Sequence, residues 1–294
     1  MKLAVYQGPS PAGDIDAAFR RVEGLLAAAS AAGARMLLLP ELFLPGYNQP
    51  PFAGAQSLDG PWMARIAGMA RTARCGVTLG WAEAAEGAVF NAASAVGPDG
   101  ALLAHYRKIQ LYGDMERGCF RPGDAPPPIF DLDGMRAGLL ICYDIEFPQH
   151  AADLARRGAG LVLVPTANPA GFDHVPRVLV PARAHESRLI VAYANLCGSE
   201  GGLEYGGGSV VVGPDALPLA AAGRAEALLI CDLPQDWPDA ALSAQDRDLR
   251  RIWRASITGR AAPRRSSASA GRNVPASTDP KISMSASTTQ TSET

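Results

Sequence analysis

A short apolar segment that ends on a cysteine, followed by two acids and a proline, constrains this chain more than any other feature. Residues 135–141 are mostly aliphatic and predict a buried strand. Pro148 suits the first turn of a helix, and Gly158 is placed to end that helix. Cys142 therefore lies at a strand-to-helix turn, where α/β proteins place nucleophiles on a rigid support. Inert packing is the competing interpretation, so the chain must also supply a base and an oxyanion donor.

Length, charge and cysteine usage exclude several classes of protein. The chain has 294 residues and is 48% hydrophobic, enough for a sizeable core. Its net charge is −2, so we expect no nucleic-acid partner. The five cysteines are scattered without C-x-x-C spacing, which argues against a disulfide framework and a zinc site. No apolar run reaches the roughly 18 residues that span a bilayer. The chain opens on a strand rather than a signal peptide, so we expect a soluble cytoplasmic protein without membrane contact.

The order of apolar segments repeats in the two halves of the chain. In the first half, two buried strands alternate with helices that start at Asp14 and Pro61. The second half repeats this order with helices from Pro148 and from near Pro176, and each half ends in a hairpin with a Gly-Pro-Asp turn. Residues 108–128 are predicted to be irregular. The predicted fold class is α/β, with two mixed β-sheets packed face to face and helices outside, a four-layer αββα sandwich.

The composition changes near residue 257. Beyond that point Ser, Thr, Ala and Pro dominate, and the only sizeable apolar residues are Val274, Ile282 and Met284. Such a segment cannot bury enough surface to offset its chain entropy. We therefore predict a folded domain over residues 1–256 and a disordered, solvated tail over residues 257–294.

Three charged residues are candidates to work with the cysteine. Glu41 ends a strand among apolar neighbours, where desolvation would raise its pKa toward that of a general base; a surface acid is the alternative. Arg107 and Lys108 are adjacent in a strand, so one is solvated and the other can point inward. Glu116 alone reads as a surface acid. The glycine-rich run at 201–208 lacks the strand and helix context of a dinucleotide-binding loop, and the four histidines show no metal-ligand spacing.

Taken together, these residues resemble the nitrilase, or carbon–nitrogen hydrolase, superfamily. That family places a glutamate after its second strand, a lysine after a later hairpin and a cysteine at a strand-to-helix elbow. Glu41, Lys108 and Cys142 match those positions, and Glu116 matches a second glutamate eight residues past the lysine. The resemblance covers roughly residues 1–235.

The resemblance implies a mechanism without metal or cofactor. Glu41 would deprotonate Cys142, whose sulfur attacks the carbon of an amide. The Lys108 ammonium and the backbone N–H of Tyr143 would stabilise the oxyanion. Glu116 would orient either Lys108 or the substrate amide. We also expect Asp144, Glu146, Arg183 and Glu186 to form buried ion pairs around the elbow.

Within the superfamily, the chain is most similar to small aliphatic amidases and 5-aminopentanamidases. The segments at 142–148, 164–168 and 193–198 carry this likeness. We expect hydrolysis of small linear carboxamides to acid and ammonia through a thioester, with ω-amino amides such as 5-aminopentanamide as candidate substrates. The family habit of dimers joined through the helix after the cysteine predicts a homodimer or higher homo-oligomer. The expected substrate-binding residues are Tyr47, Asn168, Asn195 and Glu204.

Other functions stay open at this point. The same residues could serve a nitrilase or an N-carbamoyl-amino-acid amidohydrolase, although nitrilases usually carry tryptophan where this chain has Tyr143. A catalytically idle scaffold is a further alternative, but it would be expected to lack at least one catalytic residue. A redox-sensor role would rest on Cys142 alone.

Overall fold

Alternating apolar strands and amphipathic helices form two six-stranded β-sheets in the computed structural model, which describes residues 1–234 and 236–250. The strands are β1 (Lys2–Gln7), β2 (Met36–Leu38), β3 (Gly76–Ala85), β4 (Ala88–Val96), β5 (Leu102–Arg107), β6 (Ile129–Leu132), β7 (Met135–Leu139), β8 (Leu161–Pro165), β9 (Ile190–Ala194), β10 (Cys197–Glu200), β11 (Leu203–Gly206), β12 (Val210–Val212), β13 (Pro218–Ala221) and β14 (Ala227–Asp232). The α-helices are α1 (Ile15–Ala31), α2 (Pro61–Ala73), α3 (Gly113–Cys119), α4 (Pro148–Arg156), α5 (Val180–Ser187) and α6 (Gln245–Asp248).

Both sheets are mixed. The first has the strand order β14-β1-β2-β3-β4-β5, and the second has the order β13-β12-β9-β8-β7-β6. The central strands β1, β2 and β3 run parallel, as do β7, β8 and β9, while the outer strands pair antiparallel. The carboxyl ends of the parallel strands therefore gather functional loops at one edge of each sheet.

Three buried apolar clusters separate four layers. One lies between the sheets and includes Leu3, Leu38 and Leu163. A second packs α1 and α2 against the outside of the first sheet, and a third packs α4 and α5 against the outside of the second. The αββα sandwich predicted from the sequence is confirmed.

Local sequence signals set the helix ends. The side chain of Asp14 accepts a hydrogen bond of 2.8 Å from the Ala17 N–H and caps α1. Pro61 and Pro148 occupy the first positions of α2 and α4, where a missing N–H costs little. Gly158 follows α4 with a φ of +90°, a conformation that favours glycine.

Some elements differ from the sequence prediction. Helix α3 lies inside the segment expected to be irregular, because its seven residues are too few to show an apolar repeat. Strands β6 and β13 and the β10–β11 hairpin were not predicted, and the hairpin includes part of the glycine-rich run at 201–208. The predicted helix from Pro176 is a π-helix, Val175–Leu179, that continues into α5.

The predicted domain boundary at residue 257 and the tail beyond it lie outside the described residues. Within the described part of the chain, no helix is both long and apolar enough to cross a membrane.

Candidate active site

The backbone turns sharply where β7 ends and presents Cys142. This residue adopts a positive φ of 45°, which costs energy for a residue with a side chain and is typical of functional turns. A 3₁₀-helix, Cys142–Glu146, begins at the cysteine itself. Asp144 holds this turn: its buried carboxylate accepts hydrogen bonds from the Ile141 N–H at 3.1 Å and the Tyr106 hydroxyl at 2.9 Å.

Asp144 also connects the elbow to the chain after β5. Its Oδ1 accepts the Gln110 N–H at 2.9 Å, two residues past Lys108. Asp144 is therefore a hydrogen-bonding clamp, and the expectation that it forms an ion pair was wrong. The expected pair between Arg183 and Glu186 is present at 2.9 Å, with Arg183 also bonded to the carbonyls of Ile145 and Glu146.

Glu41 lies just beyond β2, between the two sheets. Its N–H donates to the Thr166 carbonyl at 3.2 Å, which joins the ends of β2 and β8. Gly80 lets the backbone of residues 41–42 pass close to β3, because a Cβ at position 80 would lie 2.5 Å from the Leu42 nitrogen. The Glu41 side chain is fully buried.

Lys108 links two carboxylates at the centre of the site. Its Nζ lies 2.6 Å from Glu41 Oε1 and 2.8 Å from Glu116 Oε1, and all three side chains have 0% exposure. Lys108 points inward, whereas the neighbouring Arg107 pairs with Glu83 on the outer side of the sheet. The sequence prediction of one inward and one outward cation is thus matched by these contacts.

Hydrogen bonds to both carboxylate oxygens fix the position of Glu116. Its Oε1 accepts the Tyr47 hydroxyl at 2.7 Å in addition to Lys108, and its Oε2 accepts the Tyr112 N–H at 2.9 Å. The sequence left open whether Glu116 orients Lys108 or a substrate. These bonds favour the orientation of Lys108.

The charges at the site depend on burial and on each other. Burial raises the pKa of Glu41, although the nearby Lys108 acts in the opposite direction. Burial would lower the pKa of Lys108, but the charges of Glu116 and Glu41 outweigh it and hold that pKa well above its usual value. Burial and the negative charge of Glu41 raise the pKa of the Cys142 thiol. The arrangement at neutral pH is therefore a lysine cation and a protonated thiol beside a buried carboxyl group.

Of the four expected substrate-binding residues, only Tyr47 contacts the charged cluster. Asn195 is fully buried, and its amide bonds to the Asn168 N–H, the Asn168 carbonyl and the Gly207 carbonyl. Those bonds make it a structural link between loops, so we revise its role. Asn168 is also buried and donates from Nδ2 to the Phe172 carbonyl at 3.1 Å.

Glu204 requires a correction as well. It is exposed on β11, next to the buried Tyr205, because successive strand residues point to opposite sides. The structure gives its side chain no contact with the charged cluster within the described residues. On the same strand Tyr205 is buried, and its ring packs edge-on against Tyr47 at 6.3 Å.

Aromatic rings pack against one another beside the elbow. Tyr112 packs against Tyr143 at 5.2 Å and against Phe172 at 6.1 Å between ring centroids. Tyr143 packs in turn against Phe147 at 4.9 Å. We refer to Tyr112, Tyr143 and Phe172 as the aromatic wall. Sequence reasoning missed this wall because its members come from three segments that are far apart in the sequence.

Sequence reasoning also missed the part that Asn91 takes in the site. Asn91 Nδ2 donates to Glu41 Oε1 at 2.8 Å, from a buried position on β4. A buried asparagine inside an apolar strand was the available signal, since such groups need hydrogen-bond partners. Within the described residues, no group of three or more His, Cys, Asp or Glu side chains is placed to hold a metal ion.

Comparison with known proteins finds a matching family and relatives that are described as hydrolases. The family model for carbon-nitrogen hydrolase matches residues 2–240. A hydrolase in the pqqF 5′ region of Pseudomonas protegens is 40% identical over 255 residues, covering 85% of this chain and 87% of that protein. An (R)-stereoselective amidase from Pseudomonas sp. is 35% identical over 254 residues, covering 84% of this chain and 89% of that protein.

Solved structures point the same way. An amidase from Nesterenkonia sp. has a TM-score of 0.76 and 39% identity to this chain, covering 80% of this chain and 91% of that one. Structures of the amidase from Nesterenkonia sp. AN1 include a complex with butyramide and a form with acrylamide added at the active-site cysteine. The family match, these relatives and the shared fold together show that this chain belongs to the carbon–nitrogen hydrolase family of the nitrilase superfamily and is a hydrolase of carbon–nitrogen bonds.

Proposed function

We propose that this chain is a cysteine amidase that converts small linear carboxamides to a carboxylic acid and ammonia through a thioester on Cys142. The observation that carries the proposal is the fully buried Lys108 ammonium, held between the carboxyl groups of Glu41 and Glu116. The similar proteins described as amidases support the same reaction class.

Attack on the amide requires a base. As the sulfur of Cys142 bonds to the amide carbon, the thiol proton moves to the Glu41 carboxylate, and the carbonyl electron pair becomes an oxyanion. Because burial and the charge of Glu41 raise the thiol pKa, the sulfur is protonated at rest. Glu41 must therefore act during the attack itself rather than maintain a standing thiolate.

Two donors suit the oxyanion. An ammonium has three N–H groups, and Lys108 uses two of them on Glu41 and Glu116, which leaves the third for the substrate oxygen. Tyr143 is the second residue of the 3₁₀-helix, and the first N–H groups of a helix have no partner within it. Each such donor contributes about 3–4 kcal/mol to transition-state stabilisation.

Glu41 transfers the proton in both half-reactions. The carboxyl group returns its proton to the amide nitrogen as the C–N bond breaks, which releases ammonia and leaves a thioester. Glu41 next takes a proton from water as the water oxygen bonds to the thioester carbon. The C–S bond breaks, the sulfur regains a proton, and the carboxylic acid leaves. Glu116 positions Lys108 throughout, since its oxygens are already occupied by Lys108, Tyr47 and Tyr112.

The surroundings of Cys142 support a small acyl group. The charged cluster is enclosed, and the aromatic wall offers apolar faces for a short chain. The butyramide complex of the Nesterenkonia amidase supports short aliphatic amides as the substrate class. Aromatic faces also attract cations, so 5-aminopentanamide stays a candidate through contact of its ammonium with the wall.

The test is a screen for ammonia release. Propionamide, butyramide, 5-aminopentanamide, propionitrile and an N-carbamoyl amino acid are compared at equal concentration, with Cys142→Ala as the blank. We expect the linear amides to be preferred, because similar proteins are described as amidases and Tyr143 follows the cysteine where nitrilases usually carry tryptophan. Dominant activity on the nitrile or the carbamoyl compound would overturn the substrate class, and no release from any amide would overturn the amidase assignment.

A further inference from the structure

Two buried oxygens in the active site stand out because they lack partners. Within residues 1–234 and 236–250, Glu41 Oε2 and Asn91 Oδ1 are the buried side-chain polar atoms without a hydrogen bond. They belong to side chains that bond to each other, since Asn91 Nδ2 donates to Glu41 Oε1 at 2.8 Å. Buried unpaired polar atoms are rare in folded proteins, and each one calls for a functional or structural explanation.

The strand that carries Asn91 places it between Glu41 and Lys108. Ala93 and Ala95 of β4 pack between the two sheets, so Asn91 shares their face by the two-residue strand period. Its backbone carbonyl accepts the Lys108 N–H at 2.8 Å. Asn91 thus contacts the base through its side chain and the oxyanion lysine through its backbone.

These contacts distinguish the two oxygens of Glu41. Oε1 accepts two hydrogen bonds, from Lys108 at 2.6 Å and from Asn91 at 2.8 Å. Oε2 accepts none among the described residues. Two donors on one oxygen oppose rotation of the carboxylate and leave the other oxygen as the free acceptor. Both unpartnered oxygens are hydrogen-bond acceptors. The NH2 group of a substrate amide and the attacking water both carry the donors that such oxygens bind.

We propose that Asn91 is a positioning residue that fixes the Glu41 carboxylate so that Oε2 is the oxygen that takes the proton from Cys142. This inference rests on the proposed role of Glu41 as the general base. Lys108 alone would hold Oε1 through one bond about which the carboxylate can turn. The Asn91 amide adds a second, fixed direction from a rigid strand.

Loss of the hydrogen bond from Asn91 should change how activity depends on pH. A hydrogen bond from Asn91 favours the charged form of Glu41, so its loss should move the acid limb of the activity profile to higher pH. The ionisable groups that surround Glu41 are Lys108, Glu116, Cys142, Tyr47, Tyr193 and Tyr205. The lysine, the thiol and the phenols have raised pKa values, so they do not titrate in the acid limb. Asn91 bonds to Glu41 and has no hydrogen bond to Glu116, so its substitution acts on Glu41 directly.

The experiment compares Asn91→Ala and Asn91→Asp with Glu41→Gln and with Ser94→Ala. Ser94 is a matched control, because it is a buried polar residue of the same strand whose hydroxyl bonds to Trp81 and His105 on the opposite face. Two quantities are measured against pH: kcat and KM for propionamide, and the rate at which iodoacetamide alkylates Cys142. The melting temperature of each variant reports whether it is folded.

We expect both Asn91 variants to lose roughly 10- to 100-fold in kcat, a part of the 10²–10⁴ that positioned proton transfer contributes. KM should change by less than about threefold, and the acid limb should move upward, further in Asn91→Asp because its carboxylate repels that of Glu41. Ser94→Ala should keep the wild-type pH profile. Asn91→Asp matches the native side chain in size, so it tests the proposal even if Asn91→Ala does not fold.

The two proposals fail in different ways. If Glu41→Gln slows alkylation but the Asn91 variants keep the wild-type rate and pH midpoint, the role of Asn91 is wrong while that of Glu41 stands. An equal shift in Ser94→Ala would also overturn it, as a general effect of strand damage. If alkylation depends on both residues but no amide is hydrolysed, the amidase assignment fails and the positioning role survives.

Discussion

Lys108 Nζ lies 2.6 Å from Glu41 Oε1, and neither side chain has any exposed surface. An ion pair in such a position is sensitive to change, because removal of one partner leaves an uncompensated buried charge at a cost of about 3–5 kcal/mol. Lys108 has a second carboxylate, Glu116, at 2.8 Å, so the cluster carries one positive charge between two acids. The stability of every variant in this cluster must therefore be measured beside its activity.

Replacement of Lys108 by methionine should lower kcat by about 10²-fold or more, because the oxyanion loses a charged donor. Methionine keeps an unbranched side chain of similar length, which limits the cavity. Initial rates of ammonia release from propionamide give kcat, and circular dichroism on heating gives the melting temperature. A folded Lys108→Met protein with a near-normal rate would show that Lys108 has only a structural role.

Tyr47→Phe should reduce kcat by about tenfold and lower the melting temperature by several degrees. The substitution removes the 2.7 Å hydrogen bond to Glu116 Oε1 but keeps the ring. A hydrogen bond to a charged group is worth about 1.5–3 kcal/mol, and its loss lets Glu116 and Lys108 shift. Steady-state kinetics on propionamide measure the effect. Tyr205→Phe is the control, since that hydroxyl bonds to Glu200 instead, and equal losses in both variants would contradict the special role of Tyr47.

The cluster of Glu83, His105 and Arg107 on the outer face of the first sheet should control how the stability of the protein changes at acid pH. Burial opposes ionisation of Glu83, but hydrogen bonds from His105 and Arg107 lower its pKa from 4.5 to about 2. A pKa that is lower in the folded state contributes stability above the unfolded value, and this contribution is lost as pH falls from 4.5 toward 2.

Glu83→Gln should therefore be less stable than wild type at pH 7, and the difference should shrink as the solution is acidified through that range. Urea unfolding at several pH values measures it. Glu23→Gln, a change at an exposed position of α1, should show neither effect. A constant difference between wild type and Glu83→Gln at all pH values would refute the assignment.

Truncation after residue 258 should leave turnover and melting temperature nearly unchanged. The removed segment has few sizeable apolar residues, so it has little to add to a hydrophobic core. Purified full-length and truncated proteins are compared by ammonia release and by calorimetry. A marked fall in melting temperature would mean that the tail contributes to the folded domain.

The positions of Glu41, Lys108 and Cys142 were accessible from the sequence, because each ends an apolar strand or follows one directly. Glu116 was accessible through the eight-residue spacing that the family resemblance supplies, and α3 itself gives no periodic signal. The start of α2 follows from Gly60 and Pro61, a glycine and a proline that mark the first turn of the helix.

Contacts between distant segments could not be read in the same way. The bond from Asn91 to Glu41 joins residues that are 50 positions apart, and the Asp144 clamp depends on side-chain packing between strands. Glu204 was misplaced because facing in the β10–β11 hairpin depends on its register, which a glycine-rich sequence does not specify.

The proposed reaction passes through a covalent thioester on Cys142, which acid quenching during turnover of butyramide should trap. The quenched protein is digested, and the peptide that contains Cys142 is weighed by mass spectrometry. We predict a butyryl group on that peptide in the wild-type protein, and neither adduct nor ammonia release in Cys142→Ala. Sustained hydrolysis of butyramide by a folded Cys142→Ala protein would contradict the account.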